Sequence, residues 1–453
     1  MDAAVKLSTA TAASPALRKE LNLFDAVALV VGTIIGSGIF LIPSSIATQL
    51  HALWAVLLVW GVGGLLTVCG ALSLAELGAM YPAAGGICTY LRQAYGPVPA
   101  FLYAWSLLLM IHTGSIAAVS IGFGLYAGQV FALGPVAQKA VCIGCILGLT
   151  AINYLGIRSG KWVQNLIVVA KVGGLAGMML LLFATGTRPI HLLAPASGGG
   201  HAFTAAGFGV ALVAVLFAYE GWHVISFAAA EMKQPKRVLP HSLLLGSTLV
   251  LAIYIVANLA YYHVMTPAQI QASPAVAAQA VGIASGPWAA KALSLLILAS
   301  LLGCINGLVL TGGRVYYAMA VEGLFPHGFG RMSAQHRTPA AALLAQGVWA
   351  SLLAASGSYE SLFTDVIFTG WIFYGLSAAA VIVLRRRQPE RERPFAVPWY
   401  PWVPLLFCVA VVGLTVTTIV ARPLGALFGL ALIASGLPVY YAFIKPRSAP
   451  TPS

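Results

Sequence analysis

Charged residues are scarce in this sequence, and their scarcity decides its class. Only 8% of the 453 residues are Asp, Glu, Lys or Arg, whereas 60% are hydrophobic, and the mean hydropathy is +0.91. A water-soluble protein of this length needs far more charged surface. The composition therefore excludes a soluble fold and predicts a chain that exposes its apolar surface to lipid.

Acidic residues are the rarest charged group, with 11 carboxylates along the whole chain. A membrane enzyme needs His, Asp or Glu groups close together, and these residues do not cluster. The six cysteines lie mostly in apolar runs. Cys142 and Cys145 share a helix face without His or carboxylate partners, so we interpret them as packing residues. We expect no enzyme, no metal site and no cofactor.

Long polar stretches are also missing. The longest lie around 186–203, 264–287 and 385–401, and none is long enough to bury a core of its own. Residues 1–22 have no apolar run behind their charges, which predicts a cytoplasmic tail and not a signal peptide. The net charge of +13 is divided among segments between apolar runs, so it does not indicate a nucleic-acid partner.

Apolar runs of about 20 residues, the length that crosses a bilayer as a helix, make up most of the chain. The sequence therefore predicts an all-α polytopic membrane protein with about twelve transmembrane helices in a lipid bilayer. We place them at 24–47, 52–79, 99–131, 136–155, 162–185, 204–230, 240–264, 288–318, 339–356, 361–385, 402–421 and 423–444.

The distribution of basic residues gives the orientation. With a cytoplasmic N-terminus, 19 of the 24 Lys and Arg residues fall in inside segments, and one, Lys171, lies within the membrane. The outside segments hold only Lys139, Arg188, Lys291 and Arg422. Because cytoplasmic loops are enriched in Lys and Arg, we predict that both termini, with tails 1–22 and 446–453, are cytoplasmic.

The first apolar span contains Gly36, Ser37 and Gly38 at its centre, followed by Pro43. These residues disfavour a helix where lipid demands one. A broken helix here would line a cavity and offer free N–H groups to an anion. The alternative is close helix packing by small residues.

The sixth span carries a matching irregularity, because Glu220 and Gly221 lie about 16 residues into an apolar run. A carboxylate inside the membrane is costly and usually lines a transport pathway. Interruptions at corresponding positions of two halves are typical of inverted-repeat transporters with a midplane site.

Lys171 lies ten residues beyond Lys161, about 15 Å along a helix. At that depth its ammonium needs acceptors, and carbonyls freed by a broken neighbouring helix would supply them. A bound metal cation would then be unnecessary. The alternative is a lysine that extends to the interface from a tilted helix.

At these motifs the chain resembles the L-type amino acid transporter family of the amino acid–polyamine–organocation (APC) superfamily. The resemblance extends over nearly the whole chain. Its motifs are residues 31–40 (VGTIIGSGIF), 75–82 (AELGAMYP), 217–222 (FAYEGW) and 393–402 (RPFAVPWYPW).

The resemblance implies a leucine-transporter-like fold in one transport domain, 23–445. Two inverted five-helix repeats, about 23–185 and 203–385, would precede two further helices at about 402–444. It also implies that the substrate carboxylate meets the N–H groups of Ser37, Gly38 and Ile39. The α-ammonium group would meet the carbonyls of Thr33, Ile34, Phe217 and Ala218.

Other site residues follow from the same resemblance. Phe217 would close over the substrate and Ser115 would line the pocket. Lys171 would stand where sodium-coupled relatives bind sodium, with Ser300 and Cys304 facing it. Gly36, Tyr219, Glu220 and Gly221 complete the expected substrate-binding set.

The chain departs from the family pattern in two places. Animal members join a heavy chain through a cysteine in the outer loop after span three, and residues 134–139 contain none. We therefore expect no disulfide-linked heavy chain, but a bacterial inner-membrane protein acting as a monomer or homo-oligomer. Glu220 replaces a small residue. It contacts either a basic substrate side chain or the α-ammonium group, or else it caps the half-helix through local hydrogen bonds.

The resulting prediction is a sodium-independent amino acid transporter, an exchanger or a facilitator, that works by alternating access. A proton-coupled symporter, a cationic amino acid or polyamine carrier that uses Glu220, and a sensor of transporter fold are the alternatives. Near the inner surface we expect Glu76 to pair with Arg158 or Arg237, and the cluster at 385–387 to contact anionic lipid.

Overall fold

The computed structural model describes residues 21–82, 85–156, 161–189, 203–333, 335–336 and 338–444. The predicted tails therefore lie almost wholly outside the described residues. The same holds for Arg158, Arg337, Lys445 and most of the outer segment 186–203.

The described residues form seventeen α-helices. Their bounds are α1 Leu23–Ile34, α2 Gly38–Ala47, α3 Leu53–Met80, α4 Ile87–Tyr95, α5 Pro97–Ser106, α6 His112–Phe131, α7 Pro135–Tyr154, α8 Lys161–Thr185, α9 Ala205–Ala218, α10 Pro235–Val264, α11 Pro267–Gln271, α12 Val276–Ser285, α13 Pro287–Val321, α14 Ala340–Ser356, α15 Tyr359–Arg387, α16 Trp402–Ala421 and α17 Pro423–Val439. A π-helical turn, Leu107–Ile111, joins α5 to α6, and a 3₁₀ helix, Trp222–Glu231, follows α9.

The predicted all-α membrane fold is confirmed. Within the described ranges, eleven helical segments are long and apolar enough to cross a bilayer. The ninth predicted span is α14, an apolar helix of 17 residues, which is at the short end of what spans the hydrocarbon core. The division into repeats at 23–185 and 203–385 stays a prediction.

Several segments differ from the prediction. The seventh span begins at Pro235 and not at 240, because proline is tolerated in the first turn of a helix. The outer segment 264–287 folds into α11 and α12, the former started by a capping box of Thr266 and Gln269. The loop after span three is only 132–134, since Pro135 already begins α7.

The helices pack in two groups, one of which contains the first halves of the two broken spans, α1 and α9. One group is α1, α3, α9 and α10, in which α3 lies along α10. The other is α6, α7, α13 and α14, and α15 contacts members of both. Peripheral helices such as α7 and α17 expose most of their surface, including Leu424 and Val136, as a lipid-facing layer requires.

The start of the first span is fixed by polar contacts. Asn22 and Asp25 form a reciprocal capping box at the first turn of α1. Leu21 pairs in a short parallel bridge with Met232, at the end of the sixth span. The start of the first broken span and the end of the sixth are therefore held together.

Candidate functional site

The first span, Leu23–Ala47, is interrupted near its middle. Helix α1 ends at Ile34, and α2 begins at Gly38. No side chain caps the N-terminus of α2, so its first N–H groups lack the usual side-chain partner. The backbone at this break forms a local concentration of donors suited to an anion.

The sixth span is interrupted at the same depth. Helix α9 ends at Ala218, and the chain turns through Tyr219, Glu220 and Gly221 before the 3₁₀ helix. Gly221 has φ +108°, and a Cβ there would lie 2.7 Å from the carbonyl oxygen of Thr33. Glycine is therefore required, both for the backbone conformation and for the close approach to the first break.

The two breaks are in direct contact. A Cβ on Gly38 would lie 2.5 Å from the Cα of Ala218. The Thr33 hydroxyl donates to the carbonyls of Leu29 and Val30 and, at 3.2 Å, to that of Gly221. The structure thus contains both interruptions, which the small-residue packing alternative did not require.

The carbonyls freed by the breaks have partners from other helices. The buried Lys171 ammonium on α8 donates to the carbonyls of Gly32, at 3.0 Å, and Ile35, at 2.5 Å. Lys171 therefore does not extend to the membrane surface. Its role in place of sodium stays a prediction.

Two side chains on other spans also contact carbonyls at the breaks. The Tyr254 hydroxyl on α10 lies 3.2 Å from the carbonyl of Ile34 and 3.0 Å from that of Ala218, and so bridges the two breaks. The Cys304 thiol is 3.9 Å from the carbonyl of Thr33. Ser300 is buried, and among the described residues its hydroxyl has no hydrogen-bond partner.

A cavity of about 30 Å³ lies between the breaks, with room for about two water molecules. Most of the predicted substrate-binding residues line it. They are Thr33, Ile34, Gly36, Ser37, Gly38, Ser115, Phe217, Glu220 and Gly221, joined by Cys304.

Three predicted residues lie behind this wall. Ile39, Ala218 and Tyr219 are not among the residues that line the cavity. The Tyr219 hydroxyl donates to the carbonyl of Trp60 on α3, and its ring packs against Tyr254. The side chain of Tyr219 is therefore directed toward α3 and α10.

Glu220 has partners that neither interpretation of the sequence named. Its Oε1 accepts a 2.6 Å hydrogen bond from the Tyr374 hydroxyl on α15 and lies 3.3 Å from Nδ1 of His223. The second carboxylate oxygen, Oε2, is buried without a hydrogen-bond partner among the described residues. The carboxylate is thus anchored on one side and free on the other.

An aromatic group closes the cavity at the end near α2. The Phe217 ring packs against the rings of Tyr359, at 6.0 Å, and Phe363, at 5.6 Å. The Tyr359 hydroxyl is 3.0 Å from that of Ser37. Tyr359 lies in a segment where the sequence predicts no helix, so the sequence gives no signal for it.

His223 and Tyr374 are further residues that the sequence reasoning did not name. His223 lines the cavity, and Tyr374 supports it from behind. The spacing of Glu220 and His223, three residues apart in an apolar span, is a signal that could have found the histidine. Tyr374 is 154 residues from Glu220, and nothing local indicates the pair.

At the end of α3, Glu76 does not pair with the predicted Arg237, and the other predicted partner, Arg158, lies outside the described residues. Glu76 binds Arg385 through two hydrogen bonds of 2.8 and 2.6 Å and accepts a third from the Val397 N–H. The last turn of α15 lies against α3, which brings Arg385 to the carboxylate. Arg387 donates to the carbonyl of Ala94, so two residues of the predicted lipid-binding cluster are engaged within the protein.

These features are those of a membrane carrier, and comparison with known proteins agrees. The model of the amino acid permease family matches residues 21–442. The chain belongs to this family. The permease is therefore a multi-pass membrane protein that transports amino acids, and not an enzyme.

Individual relatives align along nearly the whole permease. The human b(0,+)-type amino acid transporter 1 is 34% identical over 436 residues, which is 94% of this chain and 88% of that protein. The serine/threonine exchanger SteT of Bacillus subtilis is 33% identical over 444 residues, 96% of this chain and 98% of its own. The human cystine/glutamate transporter is 27% identical over 441 residues, 95% of this chain and 87% of that protein.

Proposed function

We propose that this permease is a sodium-independent amino acid exchanger or facilitator that binds its substrate between the two broken spans. The observation that carries the proposal is the Lys171 ammonium, which is bonded to the carbonyls of Gly32 and Ile35. A fixed positive charge at this position stabilises the broken end of α1 in every turnover. No sodium ion is then needed to complete the site.

The substrate carboxylate binds the N–H groups of Ser37, Gly38 and Ile39 at the uncapped start of α2. The α-ammonium group binds the carbonyls of Thr33, Ile34, Phe217 and Ala218. The Ala218 carbonyl lies 3.0 Å from the Tyr254 hydroxyl and keeps a second lone pair for the ammonium. The Ile34 carbonyl lies 3.2 Å from the same hydroxyl and also accepts from the Gly36 N–H, so the ammonium replaces one of these donors there. The zwitterion therefore pairs with opposite ends of two broken helices.

Transport follows by alternating access. The cavity of about 30 Å³ is too small for an amino acid, so the helices around it must separate to admit one. The group α1, α3, α9 and α10 moves against α6, α7, α13 and α14, while Phe217 opens and closes one side. The close contact between Gly38 and Ala218 allows the two breaks to move as a unit.

Counterflow in proteoliposomes tests this proposal. Vesicles loaded with unlabelled amino acid should accumulate the labelled one equally well in sodium and in choline buffers. A steep sodium requirement would contradict the role given to Lys171. Absence of counterflow with every amino acid tested would favour the sensor alternative.

Glu220 favours two further candidates, a proton-coupled symporter and a carrier of cationic amino acids or polyamines. Its free oxygen, Oε2, belongs to a cavity-lining carboxylate and is unpartnered among the described residues. An ammonium group or a proton would satisfy it. If Glu220→Gln leaves lysine and arginine uptake unchanged, the cationic role is wrong.

The proposed setting is a bacterial inner membrane, with both termini cytoplasmic. The bias of Lys and Arg toward the predicted inside segments supports this orientation. The loop 132–134 contains no cysteine, which supports a chain without a disulfide-linked partner, as a monomer or a homo-oligomer.

A further inference from the structure

A buried polar cluster in the cavity wall has no part in the zwitterion binding described above. The cluster consists of Glu220, His223 and Tyr374. Oε1 of Glu220 is 2.6 Å from the Tyr374 hydroxyl and 3.3 Å from Nδ1 of His223, and Nε2 of His223 is 3.4 Å from the same hydroxyl. The Glu220 and His223 side chains are only 7% and 3% exposed.

The hydrogens available to this cluster are fewer than its close contacts. Two of the contacts are hydrogen bonds, and the third, from Nδ1 of His223 to Oε1 of Glu220, is 3.3 Å long without being aligned as one, so it is repulsive unless a hydrogen lies between the two atoms. With an ionised carboxylate, the Tyr374 hydroxyl supplies one hydrogen and a neutral imidazole supplies one more. One contact then brings two lone pairs together. A single added proton, on either His223 or Glu220, supplies the missing hydrogen.

Two atoms of the cluster are unpartnered. Among the described residues, neither Nδ1 of His223 nor Oε2 of Glu220 has a hydrogen-bond partner, although both are buried. Both residues line the cavity between the broken helices. Leaving such atoms unpaired is costly, so this wall of the cavity favours a ligand that carries positive charge.

The neighbouring ionisable groups do not supply that charge. Lys171 is bonded to the carbonyls of α1. His112 on α6 lines the same cavity, but its Nε2 is bonded to the carbonyl of Leu308. The other ionisable side chains near the cluster are neutral hydroxyls or a thiol: Tyr374 on α15, Tyr103 on α5, Tyr254 on α10 and Cys304 on α13.

We propose that Glu220 and His223, with Tyr374, form a subsite that holds one positive charge during transport. With a neutral amino acid the charge is a proton. With a cationic amino acid it is the substrate's own ammonium or guanidinium group, and no proton is bound. This inference rests on the proposed function, and it joins the proton-coupled and cationic alternatives in one site.

The consequence is a reciprocal dependence on pH. A proton taken from one side is carried with a neutral substrate and released on the other side. A cationic substrate competes with that proton. Because one proton is exchanged, each KM changes by at most about tenfold per pH unit, in opposite directions for the two substrate classes.

The wild-type protein provides the first test. Sodium-free proteoliposomes containing a pH-sensitive dye would take up serine or arginine between about pH 5.5 and about pH 8, a range in which histidine–carboxylate pairs exchange protons. With arginine inside the vesicles, so that exchange does not return the proton, we expect serine uptake to acidify the lumen and the KM for serine to rise with pH. Arginine uptake should cause no acidification, and its KM should fall as pH rises.

Single substitutions test whether the proton coupling and the pH dependence arise from this cluster. In Glu220→Gln, the serine uptake that remains should show neither acidification nor pH dependence, and the KM for arginine should rise about tenfold or more. His223→Asn should move the midpoint of the serine profile by about one pH unit. The matched control is His241→Asn, an exposed histidine on α10 whose ring is bonded to the carbonyl of Arg237, and it should leave the midpoint unmoved.

Some outcomes would overturn the inference and spare the proposed function. These are sodium-independent exchange of external serine for internal arginine without acidification, a flat serine profile in the wild type, or a wild-type profile in Glu220→Gln. If that variant does not fold, the wild-type proton measurement decides alone. A wild-type protein that catalyses no counterflow would refute the inference and the proposed function together.

Discussion

Replacing Lys171 by methionine removes the ammonium group while keeping a side chain of similar length. The ammonium makes two hydrogen bonds to buried carbonyls, those of Gly32 and Ile35. Hydrogen bonds that involve a charged group contribute about 1.5–3 kcal/mol each. Since burying the ammonium itself is costly, we take the lower limit of the sum, about 3 kcal/mol.

That loss affects the broken end of α1, whose last carbonyls would then face the low-dielectric interior without donors. If this stabilisation is lost from the conformation that binds substrate, 3 kcal/mol corresponds to a decrease of about a hundredfold in kcat/KM. We therefore expect Lys171→Met to reduce sodium-independent uptake by about two orders of magnitude, with the protein still inserted in the membrane.

The assay is the initial rate of labelled amino acid uptake into proteoliposomes with equal amounts of inserted protein. The control is Lys139→Met, which removes an exposed lysine that makes one hydrogen bond to the carbonyl of Ala355. It should change the rate less than about twofold. A Lys171→Met rate within threefold of wild type would refute the reasoning.

Three further predictions concern other parts of the molecule. Gly38→Ala places a methyl group 2.5 Å from the Cα of Ala218, an overpacking that costs about 1–3 kcal/mol, so uptake should fall about tenfold in a flux assay. The control is Gly61→Ala, which has no atom within 4 Å of the added Cβ and should leave the uptake rate unchanged. Equal rates for both variants would contradict the close contact at Gly38. Glu76→Gln breaks the paired hydrogen bonds to Arg385 and should lower the free energy of unfolding in detergent by about 2–4 kcal/mol. Glu322→Gln, in an exposed pair with Arg92, should lower it by less than about 1 kcal/mol. Similar losses for both would show that the Glu76–Arg385 pair stabilises the fold no more than an exposed pair. Phe217→Ala removes ring contacts to Tyr359 and Phe363 worth about 1–3 kcal/mol together, so KM should rise about tenfold, and an unchanged KM would exclude Phe217 as a closing residue.

The sequence by itself determined the class of the protein and the positions of its spans. Lipid cannot hydrogen-bond to a backbone, so each crossing must be a long apolar helix, and such runs are visible without any partner. The same constraint identifies the positions at which a span is broken or carries a charge. Glycines at 36, 38 and 221, with Glu220 and Lys171, violate what lipid demands, and the structure contains both interruptions and the Lys171 contact.

Only the tertiary structure decided the partners. Tyr254 bridges the two breaks, Tyr374 holds Glu220, and Arg385 binds Glu76 across 309 residues of sequence. Each of these side chains looks ordinary within its own helix, because helix periodicity is set by neighbours three or four residues away. Which polar group meets which across the bundle depends on how whole helices pack, and that packing is a property of the folded chain and not of any segment.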